Sequence, residues 1–263
     1  MVNKKEFLLE SIIKAYIEHL EPIGSTQLKT MYDITYSPAT IRGYFKKLGD
    51  EGYLAQEHVS SGRTPTTEAL KQYWISKLNF KIGGVNLKAL EYLTSKIGLT
   101  VFAKNQTTDT LQNIINVEGK YMLLEFTTFP VTIKYSDALY RFLSDMIGFE
   151  ISHIINISKQ VGAVEIYEKV NRVLQSRDFN IYNVKEFLRL ALNYNFADHD
   201  INNFLTGRIL DQFKEGLYFD ELLPPEYMGA CYNCMIDGNE TKIFVVGELS
   251  KDYEYFFNKI TLV

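Results

Sequence analysis

The stretch YSPATIRGYFKKLGDEGYL, residues 36–54, carries basic side chains at a spacing that suits contact with a nucleic acid. On a helix of 100° per residue, one stripe is apolar and consists of Ile41, Tyr44, Phe45 and Leu48. The opposite side presents Ala39, Thr40, Arg42, Gly43, Lys46 and Lys47. Because arginine and lysine reach phosphates and base edges, we predict that this side contacts double-stranded DNA.

Two small residues lie one turn apart on that side. Ala39 and Gly43 remove side-chain bulk where the floor of a groove would approach the helix. Gly43 also costs about 1 kcal/mol of helix stability relative to alanine, and no local structural benefit offsets that cost. The pattern therefore favours a shaped DNA-binding surface, although a capped amphipathic helix of this kind also occurs in protein-interaction modules.

The start of this helix has its own signals. The Ser37 hydroxyl can cap the free N–H groups, and Pro38 fits the first helical turn. The same helix end carries partial positive charge, which suits a DNA phosphate. A shorter helix is predicted from Gly24-Ser25 to about Tyr32, with Ser25 as its N-cap and a further DNA-contacting residue.

A hairpin is predicted after the basic helix. The segment YLAQEHV has the composition of a strand, SSG forms a turn, and RTP returns as a second strand. Near the tip, Ser60, Ser61 and Arg63 are candidates for DNA contact, and Arg63 could enter a minor groove or pair with a phosphate. His58 is more typical of a surface residue than of a contact.

The elements that position these residues follow from the surrounding pattern. Apolar residues at helical spacing predict a helix over 5–20, and Thr66 or Thr67 caps another helix after the hairpin. Three helices followed by a two-stranded hairpin is the order of a winged helix.

The Gly pair in KIGGVN, residues 81–86, marks the predicted boundary between domains 1–80 and 81–263. In the second domain, strand patterns lie at both ends and helical patterns lie between them. We therefore predict an α+β fold in which a sheet domain carries an insertion around 135–200.

Charge is distributed unevenly along the 263 residues, whose net charge is −4. Residues 1–78 hold ten Lys/Arg and nine Asp/Glu, whereas 79–263 hold eighteen and twenty-three. A nucleic-acid binder with this balance must focus its positive charge locally. No apolar run is long enough for a membrane span and the N-terminus does not have the pattern of a secretory signal, so we expect a cytoplasmic protein.

Two other residue clusters give weaker indications of metal or redox chemistry. The pair Cys231 and Cys234 forms a single CxxC in a strand-like stretch, which indicates two reduced thiols better than a metal or redox site. The cluster Asp198, His199 and Asp200 is explained better by the acidic first turn of a helix than by a metal site. No nucleophile–base pair or phosphate-binding glycine loop is seen, so we predict neither an enzyme nor a cofactor.

Three segments of the N-terminal part resemble the HrcA family of heat-inducible transcription repressors. They are EPIGSTQL (21–28), SPATIR (37–42) and LGDEGYLAQEHVSSGRTPT (48–66). Weaker similarity continues in FNIYNVKEFLRLAL (179–192) and TKIFVVGELSKDYEYFFNKI (241–260). The sequence departs from the family pattern at Gly43-Tyr44, where the family has asparagine and an acid, and at Ser250-Lys251, where it has arginine and methionine.

The resemblance implies a winged-helix domain followed by a GAF-like domain with an inserted dimerisation segment. It also implies a homodimer that binds an inverted-repeat operator upstream of chaperone genes. The GroE chaperonin would keep the repressor active, and repression would be lost on heat stress. Two alternatives remain open at this point: a winged-helix regulator controlled by a small ligand in the GAF-like domain, and an interaction scaffold that never contacts DNA.

Overall fold

In the computed structural model, residues 3–58, 61–79, 81–106, 109–177 and 179–262 are described, with the backbone alone for 173–177. The fold mixes helices and strands, which confirms the predicted α+β class. Chain order gives an N-terminal bundle, then a large sheet that is interrupted by a smaller one.

The N-terminal bundle has the predicted order of helix, helix, helix and hairpin. Its elements are α1 (Lys4–His19), α2 (Ser25–Met31), α3 (Pro38–Asp50), β1 (Leu54–Ala55), β2 (Thr64–Pro65) and α4 (Thr67–Lys77). The hairpin strands are only two residues long, shorter than the strand-like stretch YLAQEHV. A bridge between Ile23 and Arg63 adds a third chain segment beside the hairpin.

One apolar core holds these helices together. Residues from α1, α2, α3 and β1 bury their side chains in it, among them Leu8, Ile12, Leu28, Ile41, Phe45, Leu48 and Leu54. The members from α3 are the predicted apolar stripe, except that Tyr44 is only partly buried at the edge. Burial of this stripe fixes which side of α3 faces outward.

The rest of the chain contains two further groups of elements. In chain order they are β3 (Gly84–Val85), α5 (Leu87–Ile97), β4 (Thr100–Asn105), β5 (Leu111–Val117), β6 (Tyr121–Phe126), β7 (Pro130–Lys134), α6 (Asp137–Ser144), α7 (Ile151–Gln160), α8 (Val164–Arg177), β8 (Phe179–Tyr182), α9 (Val184–Asn193), α10 (Asp198–Leu205), a 3₁₀ turn (Arg208–Asp211), β9 (Gly216–Tyr218), β10 (Tyr227–Ile236), β11 (Asn239–Glu248), α11 (Tyr253–Ile260) and β12 (Thr261–Leu262).

The large sheet has the strand order β12-β3-β10-β11-β4-β8, and β9 pairs with β10 as well. The long hairpin β10–β11 forms its centre. One face packs on α4, α5 and α11, and the other face packs on α9 and α10. The KIGGVN segment, predicted as a domain boundary, supplies strand β3, which lies between β10 and β12.

The small sheet has the order β5-β6-β7 and its own core against α6, α7 and α8. The chain leaves the large sheet after β4 and returns at β8, which pairs with β4. This insertion therefore starts and ends earlier than the predicted 135–200. Strands β5–β7 belong to it, whereas α9 and α10 pack on the large sheet through Phe187 and Phe204.

Within the described ranges, no helix is long and apolar enough to cross a bilayer.

Candidate nucleic-acid interface

Helix α3 begins and orients as its sequence dictates. The Ser37 hydroxyl accepts a hydrogen bond from the Thr40 N–H at 3.1 Å, and Pro38 occupies the first turn. Ser37 therefore acts as the predicted N-cap. Burial of Ile41 and Leu48 then turns the other side of the helix to solvent.

We call that outward side the basic face. All six of its predicted members are exposed: Ala39, Thr40, Arg42, Gly43, Lys46 and Lys47. A Cβ atom built on Gly43 would meet no atom within 4 Å, so nothing inside the protein requires glycine there. The Lys47 ammonium lies 5.7 Å from the centroid of the Tyr44 ring, which holds that cation along the helix.

A groove of about 670 Å³ lies beside the basic face, between α2, α3 and the hairpin. We call it the wing groove. Its lining is Gly24, Ser25, Thr26, Gln27, Arg42, Phe45, Gln56, Ser61, Gly62 and Arg63. The fold therefore brings Arg42 and Arg63, which are 21 positions apart in sequence, to one concave surface.

The sequence prediction missed three polar residues of the wing groove, Thr26, Gln27 and Gln56. They come from two segments about 30 residues apart, and their proximity depends on how the hairpin packs against α2. The signal that could have found them is their place inside the segments EPIGSTQL (21–28) and LGDEGYLAQEHVSSGRTPT (48–66), which also hold predicted contact residues.

Ser25 lines the wing groove, but the prediction that it caps α2 is wrong. Gly24 has extended backbone angles and is the N-cap, and the Gln27 side chain accepts from its N–H at 3.3 Å. Ser25 is the first helical residue and only 9% exposed. Gly and Ser are both favourable caps, so the local sequence did not decide between adjacent positions.

Ser61 closes the turn at the tip of the hairpin. Its hydroxyl accepts from the His58 N–H at 3.1 Å and donates to the His58 carbonyl at 2.7 Å. These bonds give Ser61 a structural role in addition to its place in the wing groove. The neighbouring candidate, Ser60, lies outside the described residues.

Gly62 explains why two separated motifs occur together. A Cβ atom at Gly62 would lie 2.6 Å from backbone atoms of Pro22 and Ile23, too close for any side chain. Beside it, Ile23 and Arg63 exchange two backbone hydrogen bonds of 2.9 Å. The SGR turn thus packs directly against the EPIGS segment. This contact fixes the backbone of Arg63 beside α2.

Ion pairing divides the cations of the first 78 residues into two groups. One group pairs with carboxylates, in the contacts Lys5–Glu51, Lys14–Glu10, Lys71–Asp220 and Lys77–Glu10. The four basic residues of the predicted interface, Arg42, Lys46, Lys47 and Arg63, pair with no carboxylate in the part of the chain that the structure describes. Lys4 and Lys29 also pair with no carboxylate of the described residues, so four of the six unpaired cations lie on the basic face and the wing groove, which gives the local positive charge that a nucleic-acid binder of low net charge requires.

The two cysteines do not form a common site. Cys231 and Cys234 are both on β10 but face opposite sides of the large sheet, so each lies in a different core. Burial raises the pKa of the Cys231 thiol to about 11 and that of Cys234 to about 12. Both thiols are therefore protonated near neutral pH, and neither is a ready metal ligand or nucleophile.

The acidic cluster near residue 199 is the first turn of α10, as predicted. His199 Nε2 lies 3.0 Å from Asp200 Oδ1 on the exposed surface. Among the residues with described positions, no group of three or more His, Cys, Asp or Glu is arranged to hold a metal ion.

Aromatic rings fill the space between the large sheet and helices α9 and α10. The rings of Phe102, Phe187 and Phe204 contact one another at centroid distances of 4.7–5.4 Å. Phe244 continues this cluster and stacks on Phe213 at 4.4 Å. These rings fill the centre of that face, and a cavity of about 230 Å³ remains at its edge, lined among others by Glu186, Arg189 and Glu248.

The family model and the similar proteins described below agree on one family. A family model described as the HrcA C-terminal domain matches residues 74–263. The heat-inducible transcription repressor HrcA of Helicobacter pylori strain J99 is 32% identical over 264 residues, covering 99% of this chain and 95% of the relative. The same repressor of strain 26695 is 31% identical with the same coverage.

The fold is similar to that of a solved structure. A crystal structure of a hypothetical protein superposes with a TM-score of 0.53 at 18% identity, covering 98% of this chain and 96% of that one.

Proposed function

Because the chain belongs to the HrcA family of heat-inducible transcription repressors, we propose that it binds an inverted-repeat operator as a homodimer and represses chaperone operons. The observation that carries the proposal is the basic face. Its cations have no internal carboxylate partners among the described residues, and they surround two positions without side-chain bulk, Ala39 and Gly43.

In this proposal α3 lies in the major groove of the operator. The small residues let the helix axis approach the base edges, where Arg42 can read a base. Thr40, Lys46 and Lys47 line the same face and reach the phosphates on either side, and the capped N-terminus at Ser37 adds a favourable dipole. Arg63, held by the seated hairpin, contacts the backbone or the adjacent minor groove. Ser25 and Ser61 line the groove between these two arginines.

We retain the division into a DNA-binding domain at 1–80 and a GAF-like domain at 81–263, with the insertion as the dimerisation segment. A feature of the small sheet supports this role. Its outward face carries the cross-strand pairs Ile115–Leu123 and Val117–Tyr121. Of these residues, Ile115, Val117 and Tyr121 are at least 40% exposed. Exposed apolar side chains clustered on one face are typical of an interaction surface.

The charges that flank this apolar strip suit a second copy. Lys134 lies beside Tyr121 at one end of the strip, and Glu125 lies at the other end. A two-fold axis through the middle of the strip brings Lys134 of one copy over Glu125 of the other. Dimerisation would also match the symmetry of an inverted repeat, because each half-site then meets an equivalent helix.

We further propose that the GroE chaperonin keeps the repressor competent to bind DNA. Heat would divert the chaperonin to unfolded proteins, and repression would lapse. The name of the H. pylori relatives, heat-inducible repressors, supports a response to heat.

The proposal is tested by gel-shift binding to the inverted repeat upstream of the chaperone genes, with and without purified GroE. We expect a salt-dependent complex that mild heating weakens and GroE restores. If binding to the inverted repeat is no tighter than to a scrambled duplex, DNA-operator recognition is excluded. If GroE changes nothing before or after heating, chaperonin control is excluded while operator binding stands.

A further inference from the structure

Helix α4 belongs to the N-terminal bundle and also packs on the large sheet. Five residues of the bundle and one residue just after it belong to the same apolar core as the sheet; they are Ile13, Ala69, Leu70, Tyr73, Trp74 and Leu78. Trp74 is fully buried at the centre of this shared core. The bundle and the sheet therefore share packing, which resists any rotation of one against the other.

Three polar contacts pin the second half of α4 and the residue after it to the large sheet and its loops. In the middle of α4, the Lys71 ammonium lies 2.7 Å from Asp220 Oδ1 in the loop before β10. In its second half, the Trp74 indole N–H donates to the Leu249 carbonyl at 2.8 Å. Just after its end, the buried Tyr232 hydroxyl donates to the Leu78 carbonyl at 2.6 Å.

The start of α4 is also tied to the end of α3. The Thr66 hydroxyl caps α4 and donates to the Gly52 carbonyl at 2.8 Å, and the Thr66 N–H donates to the Tyr53 carbonyl at 3.0 Å. Gly52 and Tyr53 directly follow the end of α3 and its cap, Glu51. A continuous path of short contacts thus runs from α3 through α4 to the large sheet.

We propose that α4 locks the orientation of the DNA-binding helix relative to the sheet, and that this lock makes the repressor selective for one half-site spacing. In a dimer whose contact surface keeps a fixed position relative to the large sheet, the separation of the two α3 helices is then fixed by the fold. Inserting one base pair moves a half-site by about 3.4 Å and turns it by about 35°. A rigid dimer cannot follow this change, whereas a dimer with hinged DNA-binding regions could. The inference rests on the proposed function, and it adds Lys71, Trp74 and Tyr232 as positioning residues.

The test uses full-length protein and the inverted repeat that in vitro selection from random duplexes recovers with it. Fluorescence anisotropy then measures affinity for that duplex and for versions with one or two base pairs added to or removed from the spacer. For wild-type protein we expect at least about tenfold weaker binding at each one-base-pair change, the size of one missed half-site contact.

The double variant Lys71→Ala, Tyr232→Phe removes two of the pins and leaves the buried Trp74 in place. We expect it to bind a single half-site duplex as the wild type does, while its preference for the selected spacing falls at least about threefold. Lys77→Ala is the matched control on the same helix, because Lys77 pairs with Glu10 of α1 and not with the sheet. It should leave the spacing preference unchanged.

Three outcomes overturn the proposal. If the wild type binds the inverted repeat but tolerates altered spacers within about twofold, the lock is refuted while the proposed function stands. If Lys77→Ala relaxes the preference as much as the double variant does, pinning to the sheet is not the cause. If selection recovers no inverted repeat, the proposed function and this inference fail together.

Discussion

Gly43 is the residue where stability and function make opposite demands on α3. It lies in the middle of an exposed helical side, and a Cβ atom there would meet open space. Gly43→Ala should therefore raise the free energy of unfolding by about 1 kcal/mol, the usual helix-propensity difference. If the helix backbone approaches the groove floor here, the same change should weaken operator binding. Thermal denaturation and anisotropy measure the two effects, and a variant that is both more stable and equally tight would remove the close-approach role of Gly43.

Lys46 is predicted to act on phosphates without reading sequence. Lys46→Ala should weaken binding to operator and to random duplex by a similar factor, since phosphates are present in both. The slope of log affinity against log salt should fall by about 0.9 for each phosphate that lysine no longer neutralises, or about 1.8 for a dimer.

Lys14→Ala is the control for this measurement, because Lys14 is paired with Glu10 on α1, away from the basic face. An equal decrease of the slope in both variants would mean that the field of the whole bundle, and not the basic face, drives binding.

Gly62 should respond to alanine in the opposite direction to Gly43. The new Cβ atom would lie 2.6 Å from backbone of Pro22 and Ile23, which no side-chain rotation can relieve. Gly62→Ala should therefore destabilise the protein by about 1–3 kcal/mol, the typical cost of overpacking. Differential scanning calorimetry compares it with Gly43→Ala, and a Gly62 variant of unchanged stability would show that the SGR turn is not seated as described.

At the scale of single elements, α3 was predicted well because its determinants are local. The Ser37 cap, the Pro38 start and the stripe around Ile41 and Phe45 depend on residues within two turns of one another. For the hairpin, the sequence correctly predicts two paired strands, but it overestimates their length. Among the hairpin residues that the structure describes, Leu54 and Ala55 alone have partners in the two-stranded ladder, Pro65 and Thr64.

The wing groove could not be derived from the sequence, although Arg42 and Arg63 were both predicted. Its shape depends on Gly62 resting on Pro22 and on the exchange of backbone bonds between Ile23 and Arg63. These contacts span about 40 residues, and no local periodicity encodes them. The only indication of these contacts in the sequence is that the motifs EPIGS and SGR occur together in one chain.

The bounds of the insertion show a similar limit. Strand β4 and strands β5–β7 all have apolar and β-branched residues, so each reads as a strand. Which sheet a strand joins is decided by its partner: β4 pairs with β11 and β8, whereas β6 pairs with β5 and β7. The predicted insertion includes helix α9, but the buried Phe187 packs this helix into the core of the large sheet.

At the scale of the whole molecule, the outward face of the small sheet is the predicted seat of the dimer. Val117→Asp places a charge within the apolar part of the proposed contact and should weaken dimerisation on the order of tenfold or more. Sedimentation velocity over a concentration series measures the change.

Leu192→Asp is the control, because Leu192 on α9 is 74% exposed but lies outside the small sheet. If Leu192→Asp dissociates the dimer and Val117→Asp does not, the interface lies on the large-sheet side.

The uneven distribution of charge between residues 1–78 and 79–263 is a property of the whole molecule. Residues 79–263 carry eighteen basic and twenty-three acidic side chains, so the larger part of the protein repels a duplex. A DNA duplex therefore meets the least electrostatic repulsion at the basic face. Together with the lock by α4, this charge pattern directs the duplex to α3 and fixes the angle at which α3 meets it.

The role of α3 in reading DNA is tested most directly by the affinity of Arg42→Ala for the operator and for a scrambled duplex, measured at one salt concentration. Arg42 is the residue where the basic face and the wing groove meet, and its side chain pairs with no carboxylate of the described residues. We predict that Arg42→Ala loses about 1–3 kcal/mol of binding free energy on the operator, roughly fivefold to 150-fold in affinity, and much less on the scrambled duplex. Equal affinity of wild type and Arg42→Ala for the operator would contradict the claim that α3 reads DNA.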